Sequence, residues 1–98
     1  MVFDISKVTG IGEYAEKPEK ERTIYNKGDK AFLVINKNTI ELRTDDKLAK
    51  LLEEKYESVM QSRYFGRGGI EIVLAGDQLK PDEVNDLVRL SYNLTLED

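Results

Sequence analysis

Five consecutive apolar residues, Ala31-Phe32-Leu33-Val34-Ile35, stand between Asn26-Lys27-Gly28-Asp29 and Asn36-Lys37-Asn38. This punctuated run constrains the fold more than any other feature of the chain. A run so short and apolar on both faces reads as a central strand, because a helix needs about ten residues or more. The flanking segments carry Asn and Gly, which tolerate positive φ and close tight hairpins. Thr23-Ile24-Tyr25 before it is a short β run, and Thr39-Ile40-Glu41-Leu42-Arg43 after it alternates as a strand with one wet face. The spacing predicts a three-strand antiparallel meander over residues 23–43.

Helical periodicity follows. Thr44, Asp45 or Asp46 can cap a helix, and the acids suit its N-terminal dipole. Leu48, Leu51, Leu52, Tyr56 and Val59 fall at i, i+3, i+4, i+8 and i+11, one apolar stripe. Residues 60–69 read as a polar, Gly-rich connection, and Ile70-Glu71-Ile72-Val73-Leu74 as a further strand. Pro81 suits the first position of a second helix, with Leu79 and Val84 spaced as a hydrophobic staple and Glu83 at the third helical position. Val84, Leu87, Val88, Ser91 and Tyr92 form its buried stripe. The order β-β-β-α-β-α predicts an α+β two-layer sandwich, an antiparallel sheet with both helices packed on one face.

Ninety-eight residues fit one domain and leave no room for two. Residues 1–22 are a lead-in. Phe3, Ile5, Val8 and Ile11 have a loose helical spacing that Gly10 and Gly12 oppose, while Glu16 to Arg22, with Pro18, reads as a solvated loop. Gly10-Ile11-Gly12 lacks the third Gly of a dinucleotide fingerprint and reads as a loop too.

Composition then removes several chemistries. The chain has no Cys, which excludes disulfides, thiolate metal sites and cysteine nucleophiles. It has no His, so no Ser-His-Asp arrangement exists. No cofactor, no metal site and no catalytic activity are expected. Nothing approaches the roughly 20 apolar residues of a membrane span, and the start lacks a signal-peptide pattern, so a cytoplasmic location is expected. The net charge of −4 is uneven: residues 77–98 hold six acids against two bases, and residues 1–76 are neutral. A general nucleic-acid binder usually carries a basic face. Here only a local basic surface on the neutral part remains open.

Two features supply binding candidates. Arg63-Tyr64-Phe65-Gly66-Arg67-Gly68-Gly69 gathers two guanidiniums, two aromatics and three glycines. Arg63 and Arg67 can take phosphate bidentately and Tyr64 can stack on a base. Equally, the segment reads as a helix-to-strand connection whose Tyr64 and Phe65 plug the core edge. The hairpin tips carry Lys27, Lys30 and Lys37, which can rest on a nucleic-acid backbone or simply guard the sheet in solvent.

From Ala31-Phe32-Leu33-Val34 onward a set of motifs keeps a common order and spacing. Ile40-Glu41-Leu42-Arg43-Thr44-Asp45, Leu51-Leu52-Glu53-Glu54-Lys55-Tyr56, Arg63-Tyr64-Phe65-Gly66-Arg67 and Val73-Leu74-Ala75-Gly76-Asp77 lead to Leu79-Lys80-Pro81-Asp82-Glu83-Val84 and Ser91-Tyr92. In these residues the chain resembles the MmcQ/YjbR family of small bacterial proteins over roughly residues 23–96. The TfoX N-terminal type of domain shares the early hairpin pattern and fits the final helix less well. The resemblance implies a CyaY-like α+β fold and a DNA-binding role. Arg67 stands where that family usually has Lys, and Gly69-Ile70 where it usually has His-Trp. Two functions are therefore expected in order: a nucleic-acid-binding module using Lys27, Lys30, Lys37, Arg63, Tyr64 and Arg67, or a protein-interaction domain.

Overall fold

The computed structural model describes residues 3–96. They form β1 (Ala15–Pro18), β2 (Arg22–Lys27), β3 (Lys30–Asn36), β4 (Thr39–Arg43), α1 (Asp46–Lys55), β5 (Val59–Ser62), β6 (Gly66–Val73) and α2 (Pro81–Leu94). The six strands make one antiparallel sheet in the order β1-β2-β3-β4-β6-β5, and the two helices pack against it. The α+β class follows as expected, with two more strands than the alternation indicated. Among the described residues no helix is long and apolar enough to cross a membrane.

The meander β2-β3-β4 forms in register, with Ile24 opposite Val34 and Val34 opposite Glu41. A bulge interrupts it: Tyr25 faces Leu33 while Asn26 faces Ala31, leaving Phe32 without a partner. One extra residue shifts the pleat. Phe32 and Leu33 thereby both join the helix-side core, while Ala31 and Val34 stay on the other face with Ile24. This is how an apolar run serves both faces. Phe32 sits edge-on to Tyr92 of α2 at 5.0 Å, and its carbonyl accepts the Ser91 hydroxyl.

Three expectations are corrected. Residues 15–18 are an edge strand, not a loop. All four are exposed, so no apolar alternation announces them, and Pro18, which has no N–H to give a ladder, ends the strand. α1 is shorter than its stripe: it stops at Lys55, and Val59 belongs to β5. Leu51 is 58% exposed, so the face toward the sheet is Ala49 with Leu52 and Tyr56. Asp45 is the cap, its carboxylate accepting the Leu48 N–H at 2.7 Å. Third, residues 60–69 are a hairpin. β5 runs into a turn at Arg63-Tyr64-Phe65, and β6 begins at Gly66, whose φ of +73° favours glycine.

α2 begins at Pro81 as expected, with Leu79 and Val84 both buried. The Glu83 carboxylate accepts the Lys80 N–H at its start. The lead-in contributes Ile5 and Val8 to the core through a short 3-10 turn over Ile5–Lys7.

Candidate binding groove on the open sheet face

Strand alternation decides which side chains meet on the face without helices. Ile40, Leu42, Ile70 and Ile72 enter the helix-side core. Their intervening neighbours therefore point the other way. These are Glu41 and Glu71, which are direct cross-strand partners on β4 and β6. Each is 2% exposed. Two buried carboxylates side by side require strong compensation.

The compensation comes from two turns. Glu41 accepts the Asn36 amide at 2.8 Å, the Ser62 hydroxyl at 2.8 Å and the Tyr64 backbone N–H at 2.9 Å. Glu71 accepts Arg63 through Nε at 3.0 Å and Nη2 at 2.7 Å, and the Thr39 hydroxyl at 2.8 Å. Asn36 and Thr39 flank the β3–β4 turn, and Ser62 leads into the β5–β6 turn that holds Arg63 and Tyr64. The carboxylate pair thus fastens the β5–β6 turn across the open face. Burial pushes the Glu41 carboxyl up, but the Asn36, Tyr64 and Ser62 hydrogen bonds and the Arg63 charge outweigh it, so it lies below the ordinary carboxylate range.

The fastened turn builds further contacts. The Phe65 side chain packs on Ile24, Ala31 and Val34. Arg43 lies over its ring at 5.1 Å, and Arg22 lies over the Tyr64 ring at 5.2 Å. Gly69 makes this approach possible. A Cβ there would stand 2.5 Å from the Phe65 Cβ and 2.8 Å from the Leu42 carbonyl oxygen.

Beside the turn lies a broad open groove of about 1490 Å³, reaching from residues 19–23 to residues 35–39, with Glu41, Arg63 and Tyr64 in its wall. Its bases are Lys20, Arg22, Lys37 and Arg63. The Arg63 side chain remains 75% exposed although Nε and Nη2 are committed to Glu71. Glu19 binds Arg22 at 2.8 Å.

The groove gathers three of the six expected binding residues: Lys37, Arg63 and Tyr64. Lys27 and Lys30 face each other across the β2–β3 tip. Successive hairpins of a meander point to opposite ends, so these lysines lie about 20 Å from Lys37, the length of β3. Arg67 points away, its side chain 84% exposed and its guanidinium 3.9 Å from Asp46 at the start of α1. The six residues do not form one surface.

Sequence reasoning missed Glu41 and Glu71 as a pair. The signal was the repeated triad, Ile40-Glu41-Leu42 and Ile70-Glu71-Ile72. Each carboxylate already accepts three hydrogen bonds, and among the described residues no group of three or more potential metal ligands gathers. The arrangement can present donors to a ligand; it offers no activated nucleophile. Comparison with known proteins found no matching family model, no matching curated protein and no matching solved structure.

Proposed function

We propose that the protein is a non-catalytic binding module that takes the backbone of a single-stranded nucleic acid along the groove of its open sheet face. One observation carries this reading. Glu41 and Glu71 are turned onto the two turns and Glu19 pairs with Arg22 at the surface, while Lys20, Lys37 and the outer surface of Arg63 remain for a ligand, with Glu21 as the one further acid of the lining. With Glu41 buried, the lining presents four bases, Lys20, Arg22, Lys37 and Arg63, against two exposed acids, Glu19 and Glu21, a local balance that favours a polyanion even in a chain of net charge −4.

The half-exposed Tyr64 ring, with Arg22 over it, adds an aromatic to the groove, and an open sheet face with an aromatic suits splayed bases better than a duplex groove. The resemblance to MmcQ/YjbR proteins supports the same class of ligand, and a cytoplasmic location goes with it. The departures from that family have a local meaning. Ile70 is fully buried and Gly69 is covered by Phe65, so neither position lends a side chain to the groove. Lys27, Lys30 and Arg67 lie outside this interface.

The test is an amide NMR titration with a short single-stranded oligonucleotide and with a duplex, at low and then moderate salt. Salt-sensitive shifts are expected at residues 19–23, 36–39 and 63–64. Lys20→Gln/Lys37→Gln should flatten the salt dependence of log Kd by about 1.4 units, about 0.7 for each phosphate that is no longer neutralised. Arg67→Ala should leave affinity unchanged and stability within about 0.5 kcal/mol. Shifts confined to the Lys27–Lys30 tip, or none at low salt, would refute the groove. A protein-interaction role is the second reading, favoured by the exposed Leu51 and Leu90 on the helix layer.

A further inference from the structure

Two arginines line the groove, Arg22 and Arg63, and each holds a glutamate. The two glutamates differ in how firmly they are placed. Glu71, the partner of Arg63, has a side chain 3% exposed and also accepts the Thr39 hydroxyl. A buried, hydrogen-bonded carboxylate does not exchange its partner cheaply. Glu19, the partner of Arg22, has a side chain 34% exposed. This second pair spans the β1–β2 turn. There the Glu19 N–H donates to the Arg22 carbonyl at 2.7 Å, and Lys20 and Glu21 form the tip. An exposed ion pair is weak, because water and salt solvate both charges. Glu19 can therefore release the Arg22 side chain while the turn keeps its backbone bond.

Arg22 is engaged twice. Its Nε donates to Glu19 at 2.8 Å, and its guanidinium carbon stands 5.2 Å from the centre of the Tyr64 ring. Tyr64 is the fixed member of that contact. Its N–H is tied to Glu41 at 2.9 Å, and its ring meets Phe65 edge to face at 4.9 Å. Arg22 is the movable member, and it covers one face of the aromatic in the groove.

The Glu19 carboxylate resembles what a ligand would bring. Carboxylate and phosphate oxygens both accept charge-assisted hydrogen bonds from a guanidinium, and a phosphate can take two in parallel. A phosphate that replaces Glu19 draws Arg22 toward the ligand and away from Tyr64. A base can then stack on the ring face that Arg22 leaves. We propose that Glu19 is an internal competitor for the ligand's phosphate. In the free protein the Glu19–Arg22–Tyr64 contact closes the stacking face, and transfer of Arg22 from Glu19 to a phosphate opens it. This inference rests on the groove reading above and adds the exchange through which a base reaches Tyr64.

The experiment measures Kd for a labelled single-stranded oligonucleotide by fluorescence anisotropy, on full-chain variants at one fixed low salt. Circular dichroism verifies each fold. Glu19→Ala should tighten binding about fivefold, the upper range for an exposed ion pair. Glu21→Ala removes the same charge from the same tip and should tighten it by about twofold at most. In an Arg22→Gln background Glu19→Ala should gain no more than Glu21→Ala does, because the contested group is gone. During an NMR titration of wild type, the Arg22 Nε–H signal and the Tyr64 ring signals should move together, the ring protons shifting upfield under the stacked base. Three results would overturn the exchange and leave the groove reading standing: equal gains from Glu19→Ala and Glu21→Ala, a Glu19→Ala gain that persists in the Arg22→Gln background, or Tyr64 ring signals that stay in place as the oligonucleotide binds. Binding by neither wild type nor Glu19→Ala would overturn both.

Discussion

Glu41→Ala is expected to lower the free energy of unfolding by about 3–5 kcal/mol. The reason is not the loss of an ion pair alone. Three donors converge on this carboxylate: the Asn36 amide, the Ser62 hydroxyl and the Tyr64 N–H. Ser62 is 1% exposed and cannot turn to water without opening the turn. Removing the acceptor leaves buried donors unmatched, and each unmatched group costs about 1–3 kcal/mol. Glu71→Ala should cost less, because its main partner Arg63 is 75% exposed and returns to solvent. Its loss also relieves the like charge opposite Glu41. Urea denaturation of the two variants checks the order. Equal effects would mean that the carboxylates act only as a pair of charges.

Gly69→Val should be nearly as damaging, with a loss of about 3 kcal/mol. The first added carbon would stand 2.5 Å from the Phe65 Cβ, 2.8 Å from the Leu42 carbonyl oxygen and 3.1 Å from the Ser62 Cβ. Leu42 is held in the β4–β6 ladder opposite Ile70 and cannot withdraw. The β5–β6 turn must then lift, taking Phe65 off Ile24, Ala31 and Val34. Hydrogen exchange should show faster exchange at Tyr64 and Phe65 in this variant, while the α2 amides keep their protection. A variant as stable as wild type, with the turn in place, would show that the sheet tolerates a side chain there.

Local chemistry explains why part of this fold is readable in the sequence. β3 is a short apolar run closed on both sides by Asn- and Gly-bearing turns, β2 and β4 are the β runs beside it, and α2 opens on Pro81 behind a Leu79–Val84 staple, so each boundary is marked by the residues that make it. β1 has no such mark, because an edge strand with four exposed residues buries nothing. The β5–β6 hairpin hides behind Gly66, Gly68 and Gly69, whose composition resembles a loop. Gly66 serves a left-handed turn, and Gly69 yields space to a turn that returns over it.

The candidate site was less legible still. Glu41 and Glu71 occupy positions that alternation assigns to a wet face, and that assignment is correct for the sheet. They are buried because residues 62–65 fold across that face. This contact spans up to 23 residues of sequence and leaves no local trace. The hairpin lysines are the reverse case. Their wide separation follows from the meander itself, since its successive turns lie at opposite ends.

The open face depends on Glu41 being an ionised, buried carboxylate that holds the β5–β6 turn. A carbon-detected NMR titration of the Glu41 carboxyl, read together with the Tyr64 amide, tests this most directly. Its hydrogen bonds place the folded-state pKa below the unfolded value of about 4.3. The stability it contributes is then complete above that value and is lost as pH falls through the lower, folded-state value. The expected result is a Glu41 midpoint below the ordinary range, with the Tyr64 amide shifting in the same transition. A midpoint at or above the ordinary value, or a Tyr64 amide indifferent to it, would contradict this role for Glu41.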